Sequence, residues 1–533
     1  MVSETKLKQR KNSDQLDPPK RLNESTWKDI SELTKQDIIR TMESNINENF
    51  DRMLNRIVVE ASTSQTDLEW MLERTKDKRV SEGRELPEKV FMHRESLLTG
   101  LLRISHIRAV YNMFAAILFL IAAETVISDF LDIGSFRKKY HVEMFTWVFG
   151  KFGHTSAIWI SMQLNTLALF GYFNLWAQYR SGSTRPTLFD LVALTSYIVY
   201  QASHNKLAFM TFYGWLVFYL ELPPGSSIML GMELSRIMMK SHAFVRSNIP
   251  KAFYKTASVK STDGSKMSSG SDCPKFSHFL YFLFAPTLVY RDQYPRTDKI
   301  RWSFVLSNAV QFLLCVFYTY FILFRFCFTK FENFAARPLS ISETLQFILN
   351  CMLPGGMLMY LAFFSFLHSW LNMFAELMTF GDRLFYKDWW NSRSFSTYYR
   401  TWNVVVHDWL YTYIYLDVAN WSKKRTLATT LVFAVSAIMH EFILCMTFKF
   451  FYPVLLVLFG GAGFLLVFFK TRNRFWNLSF FANMCLGLGI EIALYASEWY
   501  ARKHCPPIYP DHFWLDLTIP RSLFCNMTAA NNQ

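Results

Sequence analysis

The sequence predicts an all-α polytopic membrane protein with about nine transmembrane helices and a cytosolic, helical N-terminal region. Three observations carry that prediction. Hydrophobic residues make up 51% of the 533 residues and aromatic residues 17%, whereas charged residues make up only 18%. The charges are unevenly placed: 20 of the 56 Lys+Arg and 19 of the 42 Asp+Glu fall in the first 108 residues, so the other 425 carry nearly all of the net +14. Finally, long apolar runs recur with short basic clusters at their ends, the pattern of loops sorted by positive charge. This composition excludes disorder and collagen, and a nucleic-acid partner is a poor explanation for basic residues distributed in this way.

Residues 1–108 read as a cytosolic tail with a self-association helix. Within them Ile39, Met42, Ile46, Phe50, Met53 and Ile57 recur at three- and four-residue steps, one apolar stripe on a helix. Such a stripe needs a partner, either a second copy or the membrane domain of the same chain. Thr75 to Arg94 reads as a charged linker. No apolar h-region follows Met1, so insertion is expected to begin at an internal span.

The membrane domain is expected over residues 109–500. Its apolar runs cover 109–131, 155–176, 187–203, 206–220, 303–328, 342–380, 426–448, 451–469 and 476–498. Several reach the roughly 20 residues that cross a bilayer as a helix. Pro354-Gly355-Gly356 is read as interrupting one run and Gly460-Gly461 another. Ser227 to Asn248 mixes Met229, Leu230, Met232, Leu234, Ile237, Met238 and Phe244 with polar residues and reads as an interfacial helix. The Lys- and Ser-rich stretch from Lys251 to Lys275 and the cluster Lys423-Lys424-Arg425 are assigned to the cytosol. An odd number of spans then leaves residues 501–533 as a lumenal tail. There Cys505 and Cys525 flank a Pro-rich stretch and are expected to form a disulfide, while Asn526-Met-Thr matches a glycosylation sequon. Cys315, Cys327, Cys351, Cys445 and Cys485 lie inside apolar runs and read as small hydrophobes.

Chemistry concentrates in three segments. Thr426 to Phe448 is a run of 23 residues whose only ionisable members are His440 and Glu441. An ionisable group at that depth is costly and points to function, against the alternative of a structural His that donates to a backbone carbonyl. Ser436 lies one turn earlier on the same face, and Glu441 is turned about 100° away, free to pair elsewhere. Upstream, in Tyr398 to Tyr411, Asn403 and His407 share a face, with Trp402 and Trp409 as anchors at the membrane surface. Further upstream, Phe385-Tyr386-Lys387-Asp388-Trp389-Trp390-Asn391 embeds a charged pair in aromatics, a composition that also suits headgroup anchoring. Phosphate-loop, zincin, zinc-ribbon and nucleophile-elbow motifs are missing, and no metal site or cofactor is expected. The other His residues, such as His93, His204, His278 and His368, lack partners at diagnostic spacing.

With these segments the chain resembles the membrane-bound O-acyltransferases, and within them the sterol O-acyltransferases. His440 matches the superfamily's His in an apolar helix and Asn403 its upstream Asn. The heptapeptide Phe385 to Asn391 fits the FYxDWWN motif shared by sterol and diacylglycerol acyltransferases. The sterol branch is indicated by YYRTWNVVVHDWLY (Tyr398 to Tyr411), FLFAPTLVYRDQYPR (Phe282 to Arg296) and SEWYARKHCP (Ser497 to Pro506), with SHIRAVYNMF (Ser105 to Phe114) also similar.

The resemblance implies helices enclosing a reaction chamber in the endoplasmic reticulum membrane, reached by acyl-coenzyme A from the cytosol and by sterol from the bilayer. It implies His440 and Asn403 as catalytic residues. It also implies an acyl-coenzyme A path lined by Thr397, Arg400, Asn403, His407, Tyr415, Arg425 and Ser436, with Asn112 near a sterol site. Arg425 stands where relatives carry Lys, which keeps a cation for phosphate but changes its geometry. Asn112 stands where some relatives carry His. The stripe from Ile39 to Ile57 occupies the region through which the family forms dimers and tetramers.

The expected reaction moves a long-chain acyl group from acyl-coenzyme A, a co-substrate, to the 3β-hydroxyl of cholesterol. Imidazole, with a pKa near 6.5 in water, can take the hydroxyl proton as it attacks the thioester, and burial in lipid favours a neutral ring. Asn403 would donate to the oxyanion or fix the thioester. Direct transfer in a ternary complex is expected over an acyl-enzyme. The competing readings are diacylglycerol as acceptor on the same scaffold, and a transporter in which His440 and Glu441 relay protons.

Overall fold

A computed structural model describes residues 89–133, 148–182, 208–260, 274–328, 340–469 and 475–524. The expected self-association stripe, the run 187–203, Cys273, Cys525 and the sequon at Asn526 lie outside the described residues. The described chain is all-α and polytopic, with two isolated bridges and no strand. Its principal helices are α1 (Ser105–Ile133), α2 (Phe152–Gly182), α3 (Ala208–Tyr219), α4 (Pro224–Lys260), α5 (Phe276–Phe284), α6 (Trp302–Ile322) and α7 (Ile341–Leu377). These are followed by α8 (Phe395–Thr401), α9 (Val404–Leu410), α10 (Arg425–Phe448), α11 (Leu456–Leu466), α12 (Phe475–His504) and α13 (Phe513–Thr518). Among the described residues five segments, Ser105–Glu124, α6, α7, α10 and α12, combine the length and hydropathy of a membrane span.

The expected break at Pro354-Gly355-Gly356 does not occur. Helix α7 runs through it and changes to a π-helical stretch only at Phe363–Trp370. The small residues serve packing instead: a Cβ on Gly355 would lie 3.0 Å from Leu488 Cβ, and one on Gly356 would lie 2.9 Å from Cys485 Sγ. Helices in lipid associate by close approach over small residues, and this pair brings α7 onto α12. Gly460-Gly461 likewise lies within the π-helical part of α11, Leu456–Gly463.

The segment read as interfacial is the middle of α4, and it is packed on more than one face. Leu230, Leu234 and Ile237 join Ile158, Met162 and Tyr213, whereas Ala243, Phe244 and Val245 join a second cluster with Phe279, Phe282, Tyr290 and Trp409. Its polar residues point inward to partners. Lys240 is buried and donates from Nζ to the carbonyls of Phe282 and Ala285. Arg246 makes a bidentate pair with Asp417. Satisfied cations of this kind make a polar helix an interior element.

Residues 89–103, assigned by sequence to the tail, lie against the membrane domain. Arg94 chelates Asp382 through two nitrogens at 2.6 and 3.1 Å, and its amide and carbonyl bond the backbone of Gly381 and Arg383. Phe91 packs edge-on against Tyr294 and Phe380. Lys89 pairs with Asp408. At the other end of the chain, Arg521 meets the Asp516 carboxylate while Arg502 and Ser522 hold Glu498. The tail therefore folds back onto the C-terminus of α12.

Candidate active site

The aromatic heptapeptide is the floor of the site. It was read as suited to headgroup anchoring, yet Phe385, Tyr386 and Trp389 are each 1% exposed, and only Lys387, Asp388 and Asn391 face outward. Trp389 packs edge-on against Trp402 with ring centroids 4.7 Å apart and against Phe363 at 5.0 Å. Trp402 is thus partly buried against this cluster. Trp409 is a core residue, with 3% exposure and its indole N–H donating 2.8 Å to the Met239 carbonyl. The Trp409 indole thus finds inside the protein the mixed apolar and polar contacts expected at the membrane surface, while Trp402 finds ring contacts.

Backbone pairing ties this floor to Asn403. The Lys387 N–H donates to the Thr401 carbonyl at 2.8 Å, and the Val404 N–H to the Phe385 carbonyl at 2.9 Å. Asn403 lies between those two bonds, at φ −132° and ψ 88°, as the N-cap of α9. Its Oδ1 accepts from Val406 N–H at 3.1 Å and its carbonyl from His407 N–H at 3.0 Å. Capping consumes the side-chain acceptor and leaves the amide N–H group as the chemistry Asn403 can still offer.

Tyr386 carries the floor toward α7. Its hydroxyl accepts from Leu98 N–H and donates to His368 Nδ1 at 2.7 Å, while Asn372 bridges His368 and Ser96. His368, isolated by sequence spacing, therefore has buried partners. Asn372 is one turn away on the same helix face, whereas Tyr386, 18 residues away, is revealed only by tertiary structure.

His440 and Glu441 sit in opposite environments. The His440 side chain is exposed rather than buried, and Glu441 is the buried member, at 3% exposure. Adjacent helical positions point about 100° apart, so one can face an open side while the other faces the bundle. The Glu441 carboxylate accepts from Leu456 N–H at 2.9 Å and from the Tyr495 hydroxyl at 2.9 and 3.0 Å. It thereby satisfies an orphan amide in the first turn of α11 and ties α10, α11 and α12 together. His440 Nδ1 lies 2.7 Å from the Ser436 carbonyl oxygen. A carbonyl can only accept, so Nδ1 carries the proton, and in the neutral ring Nε2 is left as an acceptor.

One aromatic cluster joins this helix to the segment bearing Asn403. Tyr399 packs edge-on against Phe433 and Phe459 at 5.1 and 5.2 Å, and Phe459 lies 5.5 Å from the His440 ring. Gly463 admits the Tyr399 hydroxyl, since a Cβ there would lie 2.6 Å from it. Tyr399 is the contact that sequence reasoning missed, although it lies inside the Tyr398–Tyr411 motif.

Of the remaining predicted residues, His407 stacks on Tyr411 at an interplanar angle of 9° and Tyr411 on Tyr415 at 15°, forming one column along α9 and the π-helical turn after it. Thr397 and Arg400 are exposed on α8, with the Arg400 guanidinium held by the Ser396 carbonyl at 3.0 Å. Arg425 is exposed at the first position of α10. Ser436 meets His440 through its carbonyl. Asn112 is exposed on α1, and among the described residues no hydrogen bond links it to the others.

Near the column, the Asp408 carboxyl would be raised by burial, but hydrogen bonding and charge from His407 and Lys89 outweigh this and hold it below the ordinary aspartate value. Asp408 is therefore an anion at neutral pH. Cys505 is buried at the end of α12, and its expected partner Cys525 lies outside the described residues.

A buried aromatic floor, an N-capping Asn and a His with its acceptor nitrogen available, all within one apolar bundle, suit acyl transfer to a weak nucleophile. Residues 145–497 match the membrane-bound O-acyltransferase family. The chain is a member of the membrane-bound O-acyltransferase family. As such it is a multi-pass membrane enzyme that transfers acyl groups. It is 41% identical to mouse sterol O-acyltransferase 1 over 461 residues, covering 85% of this chain and 82% of that protein. It is 42% identical to rat sterol O-acyltransferase 2 over 445 residues, with 82% and 81% covered. Against human sterol O-acyltransferase 2 it is 38% identical over 510 residues, with 94% and 92% covered.

Proposed function

We propose that this acyltransferase esterifies the 3β-hydroxyl of a sterol, cholesterol foremost, with a long-chain acyl group from acyl-coenzyme A, and that His440 is the general base. His440 donates from Nδ1 to the Ser436 carbonyl, a bond a structural His would also make; what supports the base is that its exposed ring keeps Nε2 available as the proton acceptor. Nε2 takes the hydroxyl proton while the sterol oxygen attacks the thioester carbon. As the carbon–sulfur bond breaks, the imidazolium returns that proton to the thiolate, so the products are sterol ester and coenzyme A. The Asn403 amide N–H group supplies a donor to the oxyanion or to the thioester carbonyl. Arg400 and Arg425 offer cations to the coenzyme A phosphates, and Thr397, His407, Tyr415 and Ser436 line its path. Asn112 contributes on the sterol side.

In this reading the enzyme resides in the endoplasmic reticulum with its N-terminus cytosolic and its C-terminus lumenal. Cys505 and Cys525 are paired there, and the chain forms a dimer or tetramer through the stripe from Ile39 to Ile57. The test is esterification by purified wild-type and His440→Ala protein in detergent, with oleoyl-coenzyme A and either cholesterol or diacylglycerol. Cholesteryl ester from wild type, with a loss of roughly 10²- to 10⁴-fold in the variant and unchanged assembly, is the expected result. Ester from diacylglycerol alone would reassign the acceptor, and activity retained by His440→Ala would remove the base.

A further inference from the structure

Away from His440, a cavity of about 270 Å³ is lined by His93, Arg296, Thr297, Asp298, Lys299 and Arg301. We propose that this cavity binds the phosphate of a net-anionic phospholipid headgroup.

The lining is strongly biased in charge. Three permanent cations and an imidazole face a single carboxylate, Asp298. The Arg301 charge is shared with Glu376 and Glu95, and the Arg296 guanidinium lies 3.9 Å from the centre of the Tyr281 ring. Among the described residues neither Arg296 nor Lys299 has a carboxylate partner, so both cations remain available to a ligand anion. Thr297 Oγ1 is buried and without a hydrogen-bond partner, a further donor at the same place. Guanidinium, ammonium and hydroxyl together are a phosphate-binding set.

The site is preformed by three backbone segments. The Thr297 N–H donates to the Thr379 carbonyl, the Gly381 N–H to the Pro295 carbonyl and the Arg94 N–H to the Gly381 carbonyl, at 2.8 to 2.9 Å. Arg301 is the N-cap of the 21-residue helix α6, and although its own amide is held by the Glu376 carboxylate, the amides that follow add positive potential where cations gather. Cations at a helix N-terminus are unfavourable by themselves, and an anion between them relieves that repulsion.

Position favours a lipid over a soluble anion. Trp302 follows at once, 66% exposed, and α6 then has the length and hydropathy of a membrane span, which puts Arg301 at headgroup level. Helix α5 has only nine residues, too few to cross a bilayer, so this loop shares the side to which the sequence assigns the basic residues that precede α5. By positive-inside sorting that side faces the leaflet rich in anionic lipid. The volume also falls just below the roughly 300–1,000 Å³ that enclose a drug-sized ligand, which fits a headgroup better than a whole nucleotide.

The experiment is native mass spectrometry of the full-length protein in detergent, titrated with dioctanoyl phosphatidic acid, dioctanoyl phosphatidylcholine or inorganic phosphate. Wild type should retain phosphatidic acid at least tenfold more tightly than either of the others. Arg296→Gln/Lys299→Gln should weaken it by tenfold or more, and Asp298→Asn, which removes the opposing charge, should tighten it several-fold. Melting temperatures matched to wild type establish that the variants are folded, and Lys299→Gln alone, at an exposed position, provides a milder version of the same test. Phosphatidic acid binding that is absent, or unaffected by these variants, would overturn the proposal. Inorganic phosphate binding as tightly as the lipid would overturn the assignment to a headgroup.

Discussion

The floor beneath Asn403 and the wall around His440 are built in contrasting ways. The floor is held by paired backbone hydrogen bonds and by buried rings that touch each other from Trp389 to Tyr398. The wall is made of α10 against a Gly-rich π-helical stretch, with apolar contacts between Phe433, Phe459 and Tyr399 and one hydrogen bond to the His440 ring. A floor of this kind fixes the Asn403 side chain in place, whereas a π-helical wall with small residues is packed mainly by apolar contacts. Glu441 is the exception on the wall, because it is a buried carboxylate that pins the first turn of α11.

That contrast can be broken first at the floor. Trp389→Ala should cost roughly 3–5 kcal/mol and lower the melting temperature steeply in detergent, because it empties the centre of the aromatic cluster. An equal loss of stability from Phe459→Ala would remove the distinction between floor and wall. The Glu441 contacts come next. Glu441→Ala should leave the Leu456 amide and the Tyr495 hydroxyl unsatisfied, at about 1–3 kcal/mol for each donor, and should reduce activity by loosening α11. Glu441→Gln, which retains an acceptor, should recover most of the stability, and differential scanning fluorimetry with matched turnover assays reads both.

Asn403 gives a smaller effect on stability and a sharper one on function. Asn403→Ala should lose about 0.5–2 kcal/mol with the cap, whereas Asn403→Asp should keep the cap yet stay nearly inactive, since it lacks the amide donor. Full activity in Asn403→Asp would show that capping is all the residue does. The smallest effect is expected far from both regions, at the C-terminal tail. Burial alone would raise the Asp516 carboxyl, but the hydrogen bond and charge of Arg521 outweigh it and hold the group below the ordinary aspartate value. A lowered folded pKa means that its stabilisation is complete above the unfolded value near 3.9 and is lost as pH falls through the folded one. The melting-temperature gap between wild type and Asp516→Asn should therefore be constant above about pH 5 and close only in stronger acid.

Sequence alone was enough for the membrane class, because hydropathy and charge sorting are properties of composition along the chain and need no tertiary partner. It also singled out His440, since an ionisable group in an apolar helix is conspicuous wherever that helix packs, whereas Ser436 and Asn403 drew their expected roles from the family resemblance. What it misjudged was where aromatics and polar residues go. Trp402, Trp409 and the heptapeptide suit a membrane interface by composition, but large rings also suit an aromatic cluster, and Trp409 finds a carbonyl for its N–H inside the protein. Pro354-Gly355-Gly356 read as a break, whereas those small residues let α12 approach α7. Glu441 meets Tyr495 54 residues away, His368 meets Tyr386 18 residues away, and Lys240 meets Phe282 and Ala285 42 and 45 residues away. Periodicity reports only the face on which a residue stands, and the group that meets it there is decided when distant helices pack.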